Sequence, residues 1–167
     1  MNDLASKLNS VLELTEKKLK TINEQQSSKK PSPDKWSSKE ILGHLIDSSV
    51  NNMIRFVNGQ FKDDLVFAGY DQNKWVEAQN YQNAGWDFLV DLWRLNNLQL
   101  VRLIESIPDE ILKRPTTNHN FDQIEWKELS KSEPATMDYL IDDYIGHMKY
   151  HLNQIFKTNM IDEIHND

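Results

Sequence analysis

Apolar residues recur at three- and four-residue steps in four long segments of this chain, and that period is typical of an amphipathic α-helix. The predicted helices cover residues 3–24, 38–57, 84–106 and 135–157. Each has an apolar face that must be buried against another element, and no segment predicts a convincing sheet. The sequence therefore predicts an all-α, up-and-down-like four-helix bundle, with one long connection between the second and third helices.

Local signals mark where the predicted helices begin and end. Ser37 followed three residues later by Glu40 is a capping box, in which each side chain bonds the backbone N–H of the other residue. Pro134 is typical of a first helical position and predicts the start of the fourth helix there. The polar segment 25–35 contains two prolines and is expected to be a linker. The third helix is so rich in apolar residues that we expect it to be buried on more than one side.

The connection between the second and third helices, residues 58–82, is long for a compact domain. Loops of this length commonly serve as lids or binding loops. Residues 71–79 can form a short helix, and Tyr70 and Trp75 can line a substrate pocket. Trp75 can equally pack on the end of the bundle. A second polar connection, residues 113–133, can hold a short strand pair.

Length and composition limit the functions open to the chain. At 167 residues we expect one domain, residues 1–167, with a flexible tail at 158–167. The formal net charge is −7 and no basic patch is visible, so nucleic-acid binding is disfavoured. The absence of cysteine excludes disulfides and thiolate ligands. We see no apolar run of membrane-spanning length and no signal-peptide pattern, so we expect a cytoplasmic protein without membrane contact.

The last predicted helix carries two histidines four residues apart, His147 and His151. Residues with this spacing lie one turn apart on the same side of a helix, about 6 Å along its axis. Both fall at the edge of the apolar stripe, so their rings can point into the bundle or toward its mouth. Two imidazoles in this arrangement can share one metal ion, such as zinc, nickel or iron. The alternative is that both are ordinary surface or packed residues.

A helical wheel of the second helix places four polar residues on one flank, within an arc of about 80°: His44, Asp47, Asn51 and Arg55. His44 adjoins the apolar edge and can reach a neighbouring helix, so it is a candidate third ligand. An ordinary solvated face is the simpler interpretation of the other three residues. Glu40, one turn before His44, could be a fourth ligand, but its capping role already explains it.

The other two histidines are not expected to bind metal. His119 lies in a segment without periodicity and is predicted to be an exposed loop residue, and His165 belongs to the tail. The paired Glu-x-x-His motifs of di-iron bundles are absent from the sequence. A mononuclear site with three histidines fits the sequence better.

These residues resemble the signature motifs of the DinB/YfiT-like superfamily. The first motif is Trp36-Ser37-x-x-Glu40-x-x-Gly43-His44-Leu45-x-Asp47, and the second is His147-x-x-x-His151. Two more segments are similar to its DinB_2 subgroup: Asn51-Asn52-x-x-Arg55-Phe56 and Tyr70-Asp71-Gln72-Asn73-x-Trp75-Val76. The motifs occur in order, and the resemblance spans nearly the whole chain.

The resemblance implies a four-helix bundle that binds a divalent metal ion, zinc or nickel in most cases, through His44, His147 and His151. It also implies an open coordination face and frequent homodimers. Family members with known activity include thiol S-transferases, and others are called metal-dependent hydrolases. The family name refers to DNA damage but does not imply DNA binding.

An open three-histidine site supports two chemistries. A bound metal ion can lower the pKa of water toward ~7 for hydrolysis, or bind a low-molecular-weight thiol as a thiolate. Because the chain has no cysteine, that thiol must come from outside. Family resemblance slightly favours transfer of such a thiol to a small apolar electrophile. The alternative is a non-catalytic bundle protein that binds a metal or a small molecule.

Four further residues are candidates for the reaction on a small-molecule substrate. Tyr70, Trp75 and Arg55 are the candidate substrate-binding residues. Asp47 is the candidate general base, although a structural pairing with Arg55 explains this carboxylate equally well.

Overall fold

The structure is a computed structural model and describes residues 2–157. The predicted tail and His165 lie outside the described residues. The helices, in chain order, are α1 (Asp3–Leu19), α2 (Glu24–Ser28), α3 (Ser38–Asn58), α4 (Gln72–Gln79), α5 (Trp86–Ser106), α6 (Asp109–Leu112), α7 (Phe121–Ile124) and α8 (Met137–Phe156), with a 3-10 turn at Tyr81–Asn83. Within this range the backbone forms isolated β-bridges but no strand. The predicted all-α four-helix bundle, built from α1, α3, α5 and α8, is confirmed.

The two long helices that come first in the chain lie at opposite corners of the bundle. Helix α1 packs against α5 and α8, and α3 packs against the same two helices. Trp86 Nε1, at the start of α5, donates a 3.0 Å hydrogen bond to the carbonyl of Leu19, at the end of α1. Asn2 Nδ2 donates to the carbonyl of Ile104 over 2.9 Å at the other end. Helices α1 and α5 are therefore antiparallel.

Helices α3 and α5 run in the same direction. Ser37 Oγ, at the start of α3, donates to Gln82 Oε1, just before α5, over 2.6 Å. Further along both helices, Asn96 Nδ2 donates to Ser49 Oγ over 3.2 Å. A connection between parallel helices must return along the bundle, which explains the length of residues 59–85. Helix α8 runs antiparallel to α3, because Gly59, at the end of α3, lies beside Met137, the first residue of α8. The expected alternation of direction therefore holds between α1 and α3 and between α5 and α8, but not between α3 and α5.

The capping box at Ser37 is present in the structure, whereas the predicted helix start at Pro134 is wrong. Helix α8 begins three residues later, with Thr136 as its N-cap. The reason is a backbone pairing of Ala135 with Thr116, through hydrogen bonds of 2.9 and 2.8 Å. These bonds hold residue 135 in an extended conformation, so the helix cannot include it.

The polar connections contain more helix than the sequence suggests. Residues 25–35 are not entirely a linker, because Asn23 caps the short helix α2. The short helix predicted at 71–79 is present as α4, with Asp71 as its N-cap. The strand pair considered within 113–133 is absent, since that stretch forms the helical turn α7 and single β-bridges.

Helix α5 is buried mainly on one side, in contrast to the expectation of burial on several. Phe88 and Leu95 remain 61% and 59% exposed. The reason is that α5 occupies a corner of the bundle, so α1 and α3 cover only part of its circumference. None of the helices in residues 2–157 is long and apolar enough to cross a membrane.

Helix α3 approaches the 3-10 turn very closely at Gly43. A Cβ atom placed on Gly43 would lie 2.2 Å from Cδ2 and 2.8 Å from Cβ of Tyr81. The second distance involves the base of the Tyr81 side chain, which cannot swing away without moving the backbone. Glycine is therefore required here by space.

We expect Gly43→Ala to destabilise the fold by about 1–3 kcal/mol, because overlap with Tyr81 exceeds the gain in helix propensity of about 1 kcal/mol. Urea unfolding measures the change. Gly69→Ala is the matched control, since its nearest contact would be Ile124 Cγ2 at 4.0 Å. An unchanged or raised stability of Gly43→Ala would show that Tyr81 does not pack as described.

Candidate metal centre

Three histidines meet where α3 packs against α8. His44 comes from α3, and His147 and His151 come from successive turns of α8. One nitrogen of each imidazole lies within 4.8 Å of the others. Nε2 of His44 and Nε2 of His147 are 3.2 Å apart. The structure thus brings together the three residues that the sequence predicts as ligands.

The separation of two of these nitrogens suits one tetrahedral ion, and the third nitrogen lies within 4.8 Å of both. Two ligands at about 2.0–2.1 Å from a tetrahedral centre are roughly 3.3 Å apart, close to the observed separation of the two Nε2 atoms. In residues 2–157 this is the one group of three or more His, Asp or Glu side chains with such convergence. A set of three imidazoles fits zinc and other divalent transition metals.

Burial keeps the imidazoles in the form that binds metal. It lowers the pKa of His44 to about 3, and nearby His151 adds to the effect. Burial also lowers the pKa of His147 to about 2, with smaller contributions from the other two histidines. The pKa of His151 is lowered for the same principal reason. Since metal ligation requires the neutral ring, the site needs little deprotonation to accept an ion at neutral pH.

Neighbouring side chains orient two of the rings. His151 Nδ1 lies 2.9 Å from Oε1 of Gln154, an oxygen that can only accept, so Nδ1 carries the proton. This leaves the Nε2 lone pair free for a ligand, the usual arrangement for a metal-binding histidine. The ring of Trp36 packs on His44 with centroids 5.2 Å apart. Nδ1 of His44 is buried without a hydrogen-bond partner among the described residues.

A polar cavity of about 260 Å³ opens beside two of the three histidines. One wall is a stripe on α3 that recurs at helical spacing: His44, Ser48, Asn52 and Arg55. The other walls come from α8, from the long connection and from the segment around α7. They include Gly69, Tyr70, Gln72, Gln123, Ile124, Glu125, Trp126, Asp143, Tyr144 and His147. Charged and amide side chains stand in this lining beside the aromatic rings of Tyr70, Trp126 and Tyr144, so the cavity offers both polar and apolar surface.

Arg55 is buried in this cavity, only 7% exposed, so its interpretation as part of a solvated face is wrong. The long connection covers this flank of α3, and Arg55 donates to the carbonyl of Ala68 over 3.3 Å. Arg55 does not pair with Asp47, since the contacts described for the two residues are with other partners.

Asp47 is also buried, but it is not among the residues that line the cavity. Its Oδ1 accepts hydrogen bonds of 2.6 Å from the hydroxyl of Tyr81 and 2.9 Å from Nε2 of Gln79. Burial raises the pKa of Asp47, and these two donors oppose the shift. The geometry favours a role in holding α4 and the 3-10 turn on α3. A role as general base stays a prediction that this placement does not favour.

Of the two aromatic residues predicted to bind substrate, Tyr70 lies at the cavity and Trp75 lies behind it. Tyr70 lines the cavity, and burial raises the pKa of its hydroxyl to about 12. Trp75 does not line it; its ring packs against Tyr70 with centroids 5.2 Å apart. Trp75 thus contacts the cavity only through Tyr70.

Glu40 and His119 are each given a specific role by the sequence. Glu40 Oε2 accepts from the backbone N–H of Ser37 over 2.8 Å, as its capping role predicts. His119 is buried, not exposed as predicted. Its Nε2 donates to the carbonyl of Glu133 over 2.8 Å, and its backbone forms a bridge with Leu65. These long-range contacts bury a residue that no local pattern marks.

Two carboxyl groups in the cavity, those of Glu125 and Asp143, are not predicted from the sequence. Asp143 accepts hydrogen bonds from the backbone N–H groups of Trp126 and Lys127, over 2.9 and 2.8 Å. Burial, with the neighbouring Asp143 as a second cause, raises the pKa of Glu125 to about 10. Glu125 is therefore protonated at neutral pH. Neither residue belongs to a recognisable motif, and only the packing of the α7 segment on α8 brings them together.

A second cavity, of about 500 Å³, lies on the His151 side of the cluster. Gln72 borders both cavities. The second cavity is lined by Pro31, Asp34, Lys35, Trp36, Ile41, Gln72, Asn73, His151 and Gln154. The three histidines therefore stand between two openings.

The chain is similar to known proteins in both sequence and fold. The family model of the DinB superfamily matches residues 7–155. The "Putative metal-dependent hydrolase YfiT" of Bacillus subtilis (strain 168) is 24% identical over 120 residues, which are 72% of this chain and 62% of that protein. The chain thus spans less than two thirds of that relative's length.

The fold is also found in a solved structure. The structure of YfiT from Bacillus subtilis, described as "a probable metal-dependent hydrolase with an unusual four-helix bundle topology", superposes with a TM-score of 0.71. The match covers 94% of this chain and 87% of that chain, at 20% sequence identity. At this identity the likeness establishes the fold alone.

We expect His147→Ala or His151→Ala to abolish stoichiometric zinc binding, because two remaining imidazoles hold a divalent ion poorly. Elemental analysis after dialysis against zinc measures the bound ion. His119→Ala is the matched control: it should keep the wild-type zinc content while losing about 1–3 kcal/mol of stability, since it leaves buried partners unsatisfied. Zinc retained by both α8 variants would place the metal elsewhere.

Proposed function

Because the chain belongs to the DinB superfamily and its three imidazoles converge beside a polar cavity, we propose that it is a metal-dependent enzyme that hydrolyses a small substrate. The observation that carries the proposal is the convergence of His44, His147 and His151, two of which line this cavity. A divalent ion, when bound there, would activate water as a nucleophile by lowering its pKa. The relative from Bacillus subtilis, which carries the name "Putative metal-dependent hydrolase YfiT", supports the same reaction class.

The cavity would admit only a small substrate. Its volume of about 260 Å³ lies below the usual range for sites that hold drug-sized ligands. Polar groups on the α3 stripe, Ser48 and Asn52, can orient a substrate by hydrogen bonding. The half-buried Tyr70 can donate a further hydrogen bond, because the raised pKa keeps its hydroxyl protonated.

Glu125 is the residue we assign to proton transfer. Its carboxyl lines the same cavity as His147 and holds a proton at neutral pH, because burial raises its pKa to about 10. Its Oε1 is buried without a hydrogen-bond partner among the described residues. A proton held there can pass to the oxygen or nitrogen of a leaving group, as in general acid catalysis.

A second candidate function, transfer of an external thiol, is favoured by the second cavity beside His151. Two openings at one cluster allow two different molecules to approach the histidines, one through each cavity. The second cavity offers the indole of Trp36 and the apolar side chain of Ile41 beside the charged Lys35. Hydrolysis needs only one organic substrate, so thiol dependence separates the two functions.

The test uses the zinc-loaded and nickel-loaded full chain with a panel of small esters, lactones and amides, each assayed with and without a low-molecular-weight thiol. We expect turnover of at least one substrate class without thiol, measured by product formation. Turnover that appears only when thiol is added would replace the hydrolase with the transferase.

Two variants connect the activity to this site. His147→Ala should remove turnover together with the metal. Glu125→Gln should keep the metal content and lower kcat by about a hundredfold or more, because it cannot donate the proton. Turnover at the wild-type rate in both variants would show that the activity does not arise in this cavity.

A further inference from the structure

Arg55 is a buried cation whose described hydrogen bonds are weak. Its guanidinium donates to Asn52 Oδ1 over 3.4 Å and to the carbonyl of Ala68 over 3.3 Å, both uncharged oxygens at the long end of the range. A guanidinium has five donors, and one that is only 7% exposed loses most of its contact with water. Burying such a charge is costly unless an anion compensates it.

The charged neighbours of Arg55 do not provide that anion directly. The ion pairs formed within residues 2–157 do not include Arg55. The interaction between Asp143 and Arg55 is electrostatic and at longer range than an ion pair. The two carboxylate oxygens of Asp143 instead accept hydrogen bonds from the backbone N–H groups of Trp126 and Lys127. Glu125, the other acidic neighbour, is protonated at neutral pH.

The guanidinium and the histidine cluster belong to one cavity. Arg55 and His44 lie three turns apart on the same stripe of α3, with Ser48 and Asn52 between them. The Arg55 guanidinium reaches back along the helix to Asn52 Oδ1, one turn nearer to His44. A ligand in this cavity can therefore contact the cation at one end and the histidines at the other.

We propose that Arg55 binds a carboxylate of the substrate, so that the enzyme acts on small carboxylate-bearing molecules whose reactive bond reaches the histidine cluster. This inference rests on the proposed function for the reaction but not for the binding. The planar guanidinium matches a carboxylate through two parallel hydrogen bonds. The cavity is lined by one arginine and also holds the carboxylate of Asp143, so the positive charge left for a ligand suits a monoanionic group better than a phosphate dianion.

The experiment measures binding without turnover. The metal-free and zinc-loaded full chains are titrated with succinate, its neutral diamide and inorganic phosphate, and the Arg55 Nε–Hε resonance is followed by NMR. We expect succinate to bind both forms about tenfold or more tightly than the diamide or phosphate. Succinate binding to the metal-free form does not depend on turnover. A failed hydrolase assay therefore does not contradict carboxylate binding by Arg55, and failed succinate binding does not contradict the hydrolase.

Variants decide whether Arg55 is the binding group. Arg55→Gln should weaken succinate binding by about tenfold or more, whereas Arg102→Gln, at an exposed arginine of α5, should leave it unchanged. Arg55→Lys keeps the positive charge but not the planar guanidinium, so its affinity for succinate should lie between those of the wild type and Arg55→Gln. This variant replaces Arg55→Gln in the test if Arg55→Gln does not fold. Equal binding of succinate and the diamide, tighter binding of phosphate, or unchanged binding in a folded Arg55 variant would overturn the proposal.

Discussion

The antiparallel packing of α3 against α8 is the contact on which the site depends. It brings one histidine from α3 opposite two from α8, so that neither helix alone could form the cluster. Helix α3 also packs on α5, α2, α4 and the 3-10 turn. Few of its faces remain in water, and its polar residues are consequently buried beside the histidines. The polar residues of the stripe from His44 to Arg55 therefore line a cavity instead of facing open solvent.

The parallel arrangement of α3 and α5 has a second consequence for the site. The chain must return along the bundle between these helices, and the returning segment covers the flank of α3 that carries Asp47 and Arg55. Hydrogen bonds from Gln79 and Tyr81 to Asp47 hold the later part of this segment in place. Its earlier part contributes Tyr70 and Gln72 to the cavity. The connection therefore forms a wall of the site as well as a link between helices.

Local patterns were sufficient to predict the helices and the three candidate ligands. Helical period located α1, α3, α5 and α8, the four-residue spacing placed His147 and His151 on one side of α8, and the edge position of His44 directed it to a neighbour. The helical wheel of α3 could not predict that Arg55 and Asp47 are buried, because the angle of a residue on a helix does not show which other segment packs against that side. His119, Glu125 and Asp143 were missed or misjudged for a related reason: their surroundings come from residues distant in sequence. The cytoplasmic location and the homodimer stay predictions.

The three histidines are expected to bind one metal ion where α3 meets α8. Anomalous scattering at the zinc edge, from crystals of the zinc-loaded full chain, tests it directly. We expect one strong peak bonded to nitrogens of His44, His147 and His151 at about 2.0–2.1 Å. No peak at the histidines, or a peak only in the acidic groove formed by Asp3, Asp109, Asp138 and Asp142, would contradict it.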